Sequence, residues 1–361
     1  MNARTARHFP LGLAALASLA SLAVLGAATP ARAADTLTAV TGFGSNPGSL
    51  LMYEYAPAGA PANAPLVLAL HGCGEAASDY EAAGWDALAD ANHFYVLYPQ
   101  QQSSNNIEEC FNWFGNTSGS TADITRGQGE AESIIQMINT MKSKYSIDAK
   151  RVYATGFSAG AAYAVALLAM YPDVFAAGAS FSGVPFGCAS SLASAYTCMD
   201  SPTTKTPDQW GALVKGAFAG YSGPYPRISI WQGSSDTTVN TSNFGELVDQ
   251  WISVTGAGAT ASAQDTVAGF PHAEYSDASG AVQVESYSIT GMSHAVAIDA
   301  AGGCGTASTY FVDEKLCAVS LAAQFFGIVP GGGGSSGGGG SSGASVSGGG
   351  SGGSGSGTAG G

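Results

Sequence analysis

Short apolar runs alternate with longer segments of helical periodicity along most of this chain. The runs at 66–70 and 228–231 are almost continuously apolar, which is typical of strands buried on both faces of a sheet. The alternation predicts an α/β fold with a mostly parallel central sheet and helices on both faces. We expect strands at 50–55, 66–70, 95–98, 152–155, 177–181, 228–232 and 282–289, and helices at 83–91, 129–145, 159–170, 208–217, 242–254 and 316–326.

The two ends of the chain differ from this pattern. Residues 1–33 combine early arginines, an apolar stretch and a small-x-small site at 31–33, which predicts a signal peptide rather than a membrane anchor. Residues 331–361 contain 27 Gly and Ser among 31 residues, which predicts a flexible linker or tail. These assignments leave 34–330 as one catalytic domain of a secreted protein, extracellular or periplasmic on its way out.

Charge and cysteine usage narrow the function classes. Without its first 33 residues the chain keeps 9 basic against 26 acidic residues, a formal charge of −17. Such a surface repels nucleic acid and anionic membranes and suits a neutral or hydrophobic substrate. The spacing of cysteines and histidines matches no zinc site, so we expect no metal and no cofactor.

Six cysteines in an exported chain favour three disulfides, for which 15 connectivities are possible. The local pairs Cys188–Cys198 and Cys304–Cys317 would close short loops, which would leave Cys73–Cys110. Each bond would stabilise the fold by roughly 3 kcal/mol in the loop-entropy description. The pairing stays open at this point.

Ser158 lies in the pentapeptide GFSAG, between an apolar strand and an Ala-rich helix that ends before Pro172. A serine on such a sharp turn needs small neighbours, because the backbone is strained and passes close to other segments. The same G-x-S-x-G pattern recurs in the Gly/Ser tail, around Ser335 for example, but no strand or helix flanks it there. The context therefore predicts Ser158 as the nucleophile of a strand-turn-helix site.

The partners of such a serine follow it in the order acid, then histidine. His294 lies just after the strand that ends at 289, and Asp236 follows the strand at 228–232 in a Gly/Ser turn. We expect the triad Ser158, Asp236 and His294. The alternatives are a surface-loop histidine and a carboxylate that only caps a turn. His272 precedes the strand at 282–289, so we expect it at the opposite edge of the sheet.

The segment LHGCG at 70–74 follows a buried strand. Such a loop supplies one backbone N–H to a tetrahedral intermediate, and the residue after the nucleophile supplies the other. We therefore expect Cys73 and Ala159 to form the oxyanion hole. His71, Trp113 and Phe114 are candidate substrate contacts, although the aromatic pair could equally belong to the core. The insert at 183–227 is expected to form part of the acyl-site wall.

Together these segments resemble the exported polyhydroxyalkanoate depolymerases, relatives of feruloyl and acetyl-xylan esterases. The resemblance rests on LHGCG at 70–74, CFNWF at 110–114, RGQGE at 126–130, GFSAG at 156–160, IWQGSSD at 230–236 and GMSH at 291–294. It implies an α/β-hydrolase fold, the triad above and an oxyanion contact from Cys73.

The resemblance implies a serine esterase acting on polyhydroxyalkanoate (polyhydroxybutyrate) or its oligomers, with feruloyl or acetyl-xylan ester hydrolysis as the alternative. Many depolymerases carry a polymer-binding module after a linker. The present sequence contains the linker without that module, which predicts weaker adsorption to solid polymer. A non-catalytic secreted binding module would predict a broken triad, whereas all three residue types are present.

Overall fold

The computed structural model describes residues 37–116 and 118–330. Within them a ten-stranded sheet has the order β1-β2-β4-β3-β5-β6-β7-β10-β9-β8, and β11 and β12 form a separate pair. The strands are β1 Thr38–Val40, β2 Leu51–Tyr55, β3 Leu66–Leu70, β4 Tyr95–Gln100, β5 Val152–Phe157, β6 Ala177–Phe181, β7 Arg227–Gly233, β8 Ala263–Val267, β9 Phe270–Ser276, β10 Val282–Ile289, β11 Val296–Ile298 and β12 Phe311–Asp313.

The centre of the sheet is parallel. Strands β4, β3, β5, β6, β7 and β10 pair in parallel one after another, whereas β1, β2, β8 and β9 are added antiparallel at the two margins. The carboxyl ends of the six central strands therefore meet along one edge of the sheet. The predicted mostly parallel sheet is confirmed.

Helices cover both faces. They are α1 Ala77–Tyr80, α2 Trp85–Asn92, α3 Gly129–Tyr145, α4 Ala159–Met170, α5 Leu192–Asp200, α6 Pro207–Ala217, α7 Ser242–Thr255 and α8 Ala318–Phe326. Strand β3 shows why: Leu66, Leu68 and Leu70 join a core with α3, α4 and α7, whereas Val67 and Ala69 join a second core with α2 and α8. Alternate side chains of a strand point to opposite faces, so an all-apolar strand requires helices on both.

The sequence pattern did not predict the strands β8 and β9 or the helix α5. Four of the five residues of β8 are exposed, and the strand pairs with β9 through its backbone at the margin of the sheet. Helix α5 buries only Ala195 and Cys198. Strand β9 has no buried residue either, so none of the three elements has the apolar periodicity that marks a core-facing segment.

The three disulfides join Cys73 to Cys110, Cys188 to Cys198 and Cys304 to Cys317, which is the pairing that the short loops favoured. The first links the loop after β3 to the loop that precedes Trp113. Among the described residues, no helix is long and apolar enough to cross a bilayer. The predicted signal peptide at 1–33 and the Gly/Ser tail at 331–361 lie outside the described residues, and the predicted domain boundaries remain predictions.

A buried carboxyl group at the start of α3 holds the loop at 110–114, which carries Trp113 and Phe114, in place. Glu130 accepts hydrogen bonds from the Asn112 backbone N–H at 3.0 Å, from the Asn112 amide at 2.6 Å and from the Gln101 amide. Burial, with the neighbouring Asp123 carboxylate, raises the pKa of Glu130 to about 8, although the hydrogen bonds from Asn112 and Gln101 act in the opposite direction. Nothing local in the sequence reveals that Glu130 is enclosed.

The raised pKa predicts a pH-dependent stability. The folded chain holds the Glu130 proton more tightly than the unfolded chain, whose ordinary value is 4.5, so this stabilisation is lost as the pH rises towards 8. In Glu130→Gln, which stays neutral, the free energy of unfolding should change less between about pH 6 and pH 9. Urea unfolding at both pH values measures this. Glu132→Gln on the same helix is the control, and equal pH slopes for wild type and Glu130→Gln would contradict the expectation.

Candidate active site

Three neighbouring parts of the sheet bring the predicted triad to one edge. Ser158 directly follows β5, Asp236 follows β7 by three residues, and His294 follows β10 by five. Strands β5, β6, β7 and β10 are adjacent and parallel, so the loops after them converge. As a result, Ser158 and His294 line the same cavity although they are 136 positions apart in the sequence.

Ser158 occupies a strained backbone position. Its φ of 54° and ψ of −119° lie in a region that residues with a side chain rarely adopt. The flanking glycines are required by space: a Cβ on Gly160 would lie 2.3 Å from the Leu70 carbonyl oxygen, and one on Gly156 would lie 2.4 Å from the Gly160 carbonyl carbon. The turn therefore presents the serine side chain at the start of α4 and packs against the end of β3.

The acid and the histidine are in direct contact. His294 Nδ1 lies 2.8 Å from Asp236 Oδ2, and the imidazole ring packs 4.8 Å from the Phe157 ring, centroid to centroid. Asp236 Oδ1 accepts the backbone N–H groups of Thr238 and Val239 at 2.9 Å each. The carboxylate thus caps a turn and also binds the imidazole, so the two interpretations of Asp236 hold together.

These contacts keep Asp236 ionised. Burial disfavours its charge, but the hydrogen bond and charge of His294 and the two backbone N–H groups outweigh this and lower the pKa of Asp236. A neutral imidazole that donates through Nδ1 has its lone pair on Nε2. That nitrogen is then free to act as a base.

The two predicted oxyanion donors lie on the same cavity as Ser158. Ala159 is the first residue of α4, where a backbone N–H has no acceptor within the helix. In the loop after β3, the Gly72 N–H donates to Glu75 Oε2 and the Gly74 N–H donates to the Glu108 carbonyl oxygen, each at 2.8 Å. Cys73, between them, is the residue of this loop that lines the cavity.

His71 has a different place from the one expected. Its side chain is 1 % exposed, its Nδ1 lies 2.7 Å from the Gly72 carbonyl oxygen, and its Nε2 accepts the Gln101 N–H at 3.1 Å. Burial lowers the pKa of His71 to about 4, so the ring is neutral. The prediction of a direct substrate contact conflicts with this geometry, because both ring nitrogens are used to fix the loop backbone.

Trp113 and Phe114 line the cavity and belong to the core at the same time, and their contact with a substrate remains a prediction. The cavity has a volume of about 340 Å³. Another part of its wall comes from the insert at 183–227, mainly through α5. The apolar side chains of this wall are Val184, Leu192, Ala195, Tyr196 and Met199.

The sequence reasoning missed Tyr310 and Glu75. Tyr310, just before β12, lines the cavity and lies 5.6 Å from the Phe157 ring. Its position depends on long-range packing, and no local signal marks it. Glu75 could have been suspected, since an acidic residue directly follows the predicted oxyanion loop.

His272 lies outside the site, but for a reason other than the predicted one. Strand β9 is antiparallel to β10 and places His272 opposite Tyr287, near the carboxyl end of β10 rather than at the opposite edge. Its Nδ1 lies 2.8 Å from Asp265 Oδ1, and its Nε2 lies 3.8 Å from Glu285 Oε2. This histidine therefore belongs to a polar cluster at the margin of the sheet.

A serine on a strained strand-to-helix turn, with an Asp-bound histidine at the same edge of a parallel sheet, defines the serine esterases of the α/β-hydrolase fold. Residues 50–274 match the family described as Esterase PHB depolymerase. The chain belongs to this family and is a carboxylic ester hydrolase.

Several known proteins are similar to it. The chain is 52 % identical to poly(3-hydroxyalkanoate) depolymerase C of Paucimonas lemoignei over 296 residues. The aligned region covers 81 % of this chain and 70 % of that protein. It is 35 % identical over 275 residues to feruloyl esterase B of Talaromyces stipitatus, covering 74 % of each. The solved structure of an acetyl xylan esterase from Aspergillus awamori superposes with a TM-score of 0.68 at 26 % identity, over 81 % of this chain and all of that one.

The triad assignment predicts the effect of removing the nucleophile. Ser158→Ala should lower hydrolysis of p-nitrophenyl butyrate by about 10⁶-fold, as for other triad serines, and leave the unfolding temperature near that of the wild type. A fluorophosphonate should label the wild type and not the variant, because labelling needs an activated hydroxyl.

Ser335→Ala is the matched control, since Ser335 has the same G-x-S-x-G pattern outside any predicted element. It should retain full activity and labelling. Full activity in Ser158→Ala would reject the assignment.

Proposed function

We propose that this protein is a secreted serine esterase that hydrolyses the ester bonds of polyhydroxyalkanoate, such as polyhydroxybutyrate, or of its oligomers. The observation that carries the proposal is the 52 % identity to poly(3-hydroxyalkanoate) depolymerase C over 81 % of the chain. The joint position of Ser158, Asp236 and His294 at one edge of the sheet supports it.

The chemistry follows from the geometry. His294 Nε2 takes the proton of the Ser158 hydroxyl as the serine oxygen bonds to the ester carbonyl carbon. Asp236 holds the imidazole in the required tautomer and stabilises the imidazolium. The N–H groups of Cys73 and Ala159 bind the oxyanion, each worth roughly 3–4 kcal/mol in the transition state.

The tetrahedral intermediate then collapses. The bond to the alcohol oxygen breaks, and the alcohol leaves with the proton from His294, which leaves an acyl group on Ser158. A water molecule attacks this acyl carbon while His294 removes its proton. The second intermediate releases the carboxylic acid and returns the proton to Ser158, so that the enzyme is unchanged at the end.

The surface around the cavity supports a hydrophobic polymer as substrate. In the described part of the chain the large apolar side chains that are exposed are Leu51, Ile107, Leu192, Tyr196 and Tyr310. Three of them line the cavity, and Ile107, 83 % exposed, lies between the lining residues Asn106 and Glu108. We call Ile107, Leu192, Tyr196 and Tyr310 the mouth cluster. Exposed apolar groups gathered in this way are typical of contact surfaces.

Secretion is supported by the three disulfides, since such bonds persist in oxidising compartments. The predicted signal peptide agrees with it. The acidic surface, with its formal charge of −14 over the whole sequence, suits an uncharged polyester better than a polyanion.

A second candidate is hydrolysis of feruloyl or acetyl esters on xylan. It is favoured by the relatives named feruloyl esterase B and acetylxylan esterase A, which are 35 % and 34 % identical to this chain. The cavity would also accept an aromatic acyl group between Trp113, Phe114 and the α5 wall.

Substrate assays separate the two candidates. Purified protein should clear an emulsion of polyhydroxybutyrate and release 3-hydroxybutyrate oligomers, and Ser158→Ala should not. Release of ferulate or acetate from xylan, without clearing of the polyester, would reject the polyester assignment and support the second candidate.

The mouth cluster predicts a loss specific to the polymer. Ile107→Ser should lower clearing of the polyester emulsion several-fold more than it lowers hydrolysis of soluble p-nitrophenyl butyrate. The reason is that the surface of a solid polymer would contact the exposed Ile107 of the mouth cluster, whereas a small ester enters the cavity. Leu51→Ser, an exposed apolar residue outside the cavity lining, is the matched control. An unchanged ratio of the two activities in Ile107→Ser would exclude the mouth cluster as a polymer contact.

A further inference from the structure

The loop after β3 contains a buried carboxyl group that the mechanism above does not use. Glu75 is 7 % exposed, and its Oε2 accepts the Gly72 N–H at 2.8 Å. Its backbone N–H donates to the Gly72 carbonyl oxygen at 3.4 Å, and His71 Nδ1 lies 2.7 Å from that same oxygen. Glu75 and His71 thus hold Gly72 from both its N–H and its carbonyl.

The Glu75 carboxylate fixes the peptide before Gly72 through its N–H, and His71 Nδ1 and the Glu75 backbone N–H fix the peptide after it through the Gly72 carbonyl oxygen. The Gly72 carbonyl and the Cys73 N–H belong to one planar trans peptide, so they point in opposite directions. When the carbonyl is bound on the His71 and Glu75 side, the Cys73 N–H is directed away from them. Rotation of this peptide would instead present a carbonyl oxygen, which repels an oxyanion.

The same carboxyl group is close to the triad histidine. A Cβ placed on Gly72 would lie 3.0 Å from Glu75 Oε2 and 2.9 Å from Phe157 Cδ1, and the Phe157 ring packs 4.8 Å from the His294 ring. The Phe157 ring therefore lies near both the Glu75 carboxyl group and the His294 imidazole. A carboxylate at Glu75 would attract a positive charge that forms on the imidazole at the other side of this ring.

Other titratable groups also face Glu75. Burial raises the pKa of Glu75, the Gly72 N–H lowers it, the exposed Asp79 raises it, and His294 lowers it, with a net upward shift. A negative charge on Glu75 also contributes to the raised pKa of the buried Tyr80 phenol. His294 is thus the one neighbour among these side chains that becomes positive during the reaction.

We propose that Glu75 is a positioning residue of this esterase: its carboxylate holds Gly72 so that the Cys73 N–H faces the oxyanion, and its charge supports the imidazolium of His294. The inference rests on the proposed triad mechanism.

Two substitutions separate the two effects. Glu75→Ala removes the hydrogen bond and the charge, and should lower kcat for p-nitrophenyl butyrate by about 10- to 100-fold with KM within about twofold, since loss of a whole oxyanion donor costs about 10²–10³ in kcat. Inhibition by a trifluoromethyl ketone, which forms a tetrahedral oxyanion on Ser158, should weaken by a similar factor.

Glu75→Gln keeps an oxygen acceptor of the same size but no charge. It should restore much of kcat and shift the acid limb of the pH profile of kcat/KM to lower pH, because the imidazolium loses its neighbouring charge. Asp79→Asn is the matched control: it removes an exposed charge that binds the Ala76 N–H and does not contact Gly72. It should change neither kcat nor the acid limb.

Thermal unfolding of each variant shows whether the fold is intact. Unchanged kcat and inhibitor affinity in Glu75→Ala would overturn the inference, and so would an acid limb in Glu75→Gln identical to that of the wild type. A shift of equal size in Asp79→Asn would also overturn it, because the charge effect would not then belong to Glu75. An inactive wild type or an active Ser158→Ala variant would instead reject the proposed function itself.

Discussion

The close approach between the start of α4 and the end of β3 is the constraint on which the site depends. Any side chain on Gly160 would strike the carbonyl oxygens of Leu70 and His71, at 2.3 and 2.4 Å. This contact brings the N-terminus of α4 against the loop that carries Cys73. The proposed nucleophile Ser158 and the two proposed oxyanion donors, Cys73 and Ala159, therefore have a fixed relation, and the strained φ of Ser158 is maintained by packing on both sides.

Much of this architecture could be predicted from the sequence, because central strands that are buried on both faces appear as continuous apolar runs. The run at 66–70 coincides with β3, and the helices predicted at 129–145 and 159–170 coincide with α3 and α4. The three residues of the proposed triad could be assigned to one edge of the sheet because each follows a buried strand, and parallel strands end at one edge. The hydrophobic periodicity of these segments, together with the rules of parallel sheet topology, was sufficient to predict them.

The parts that could not be predicted depend on contacts between distant segments. Strand β8 is exposed and α5 has a narrow buried stripe, so neither carries a hydropathy signal. The antiparallel turn from β9 to β10 reverses the edge at which His272 lies, which a strand order read from sequence does not reveal. The roles of His71 and Glu130 come from burial and hydrogen bonds across 30 and 18 residues.

The wall formed by α5 is separate from the strand ends that carry the residues proposed for proton transfer. It lies in a segment between β6 and β7, and it is anchored by the Cys188–Cys198 disulfide and by Asn243, whose amide donates to the Cys198 carbonyl oxygen at 3.0 Å. Substitutions on this helix would change the lining of the cavity without altering the loops after β5, β7 and β10. If the proposed triad is correct, ester preference could diverge between related chains through this one disulfide-bonded helix while the catalytic residues stay in place.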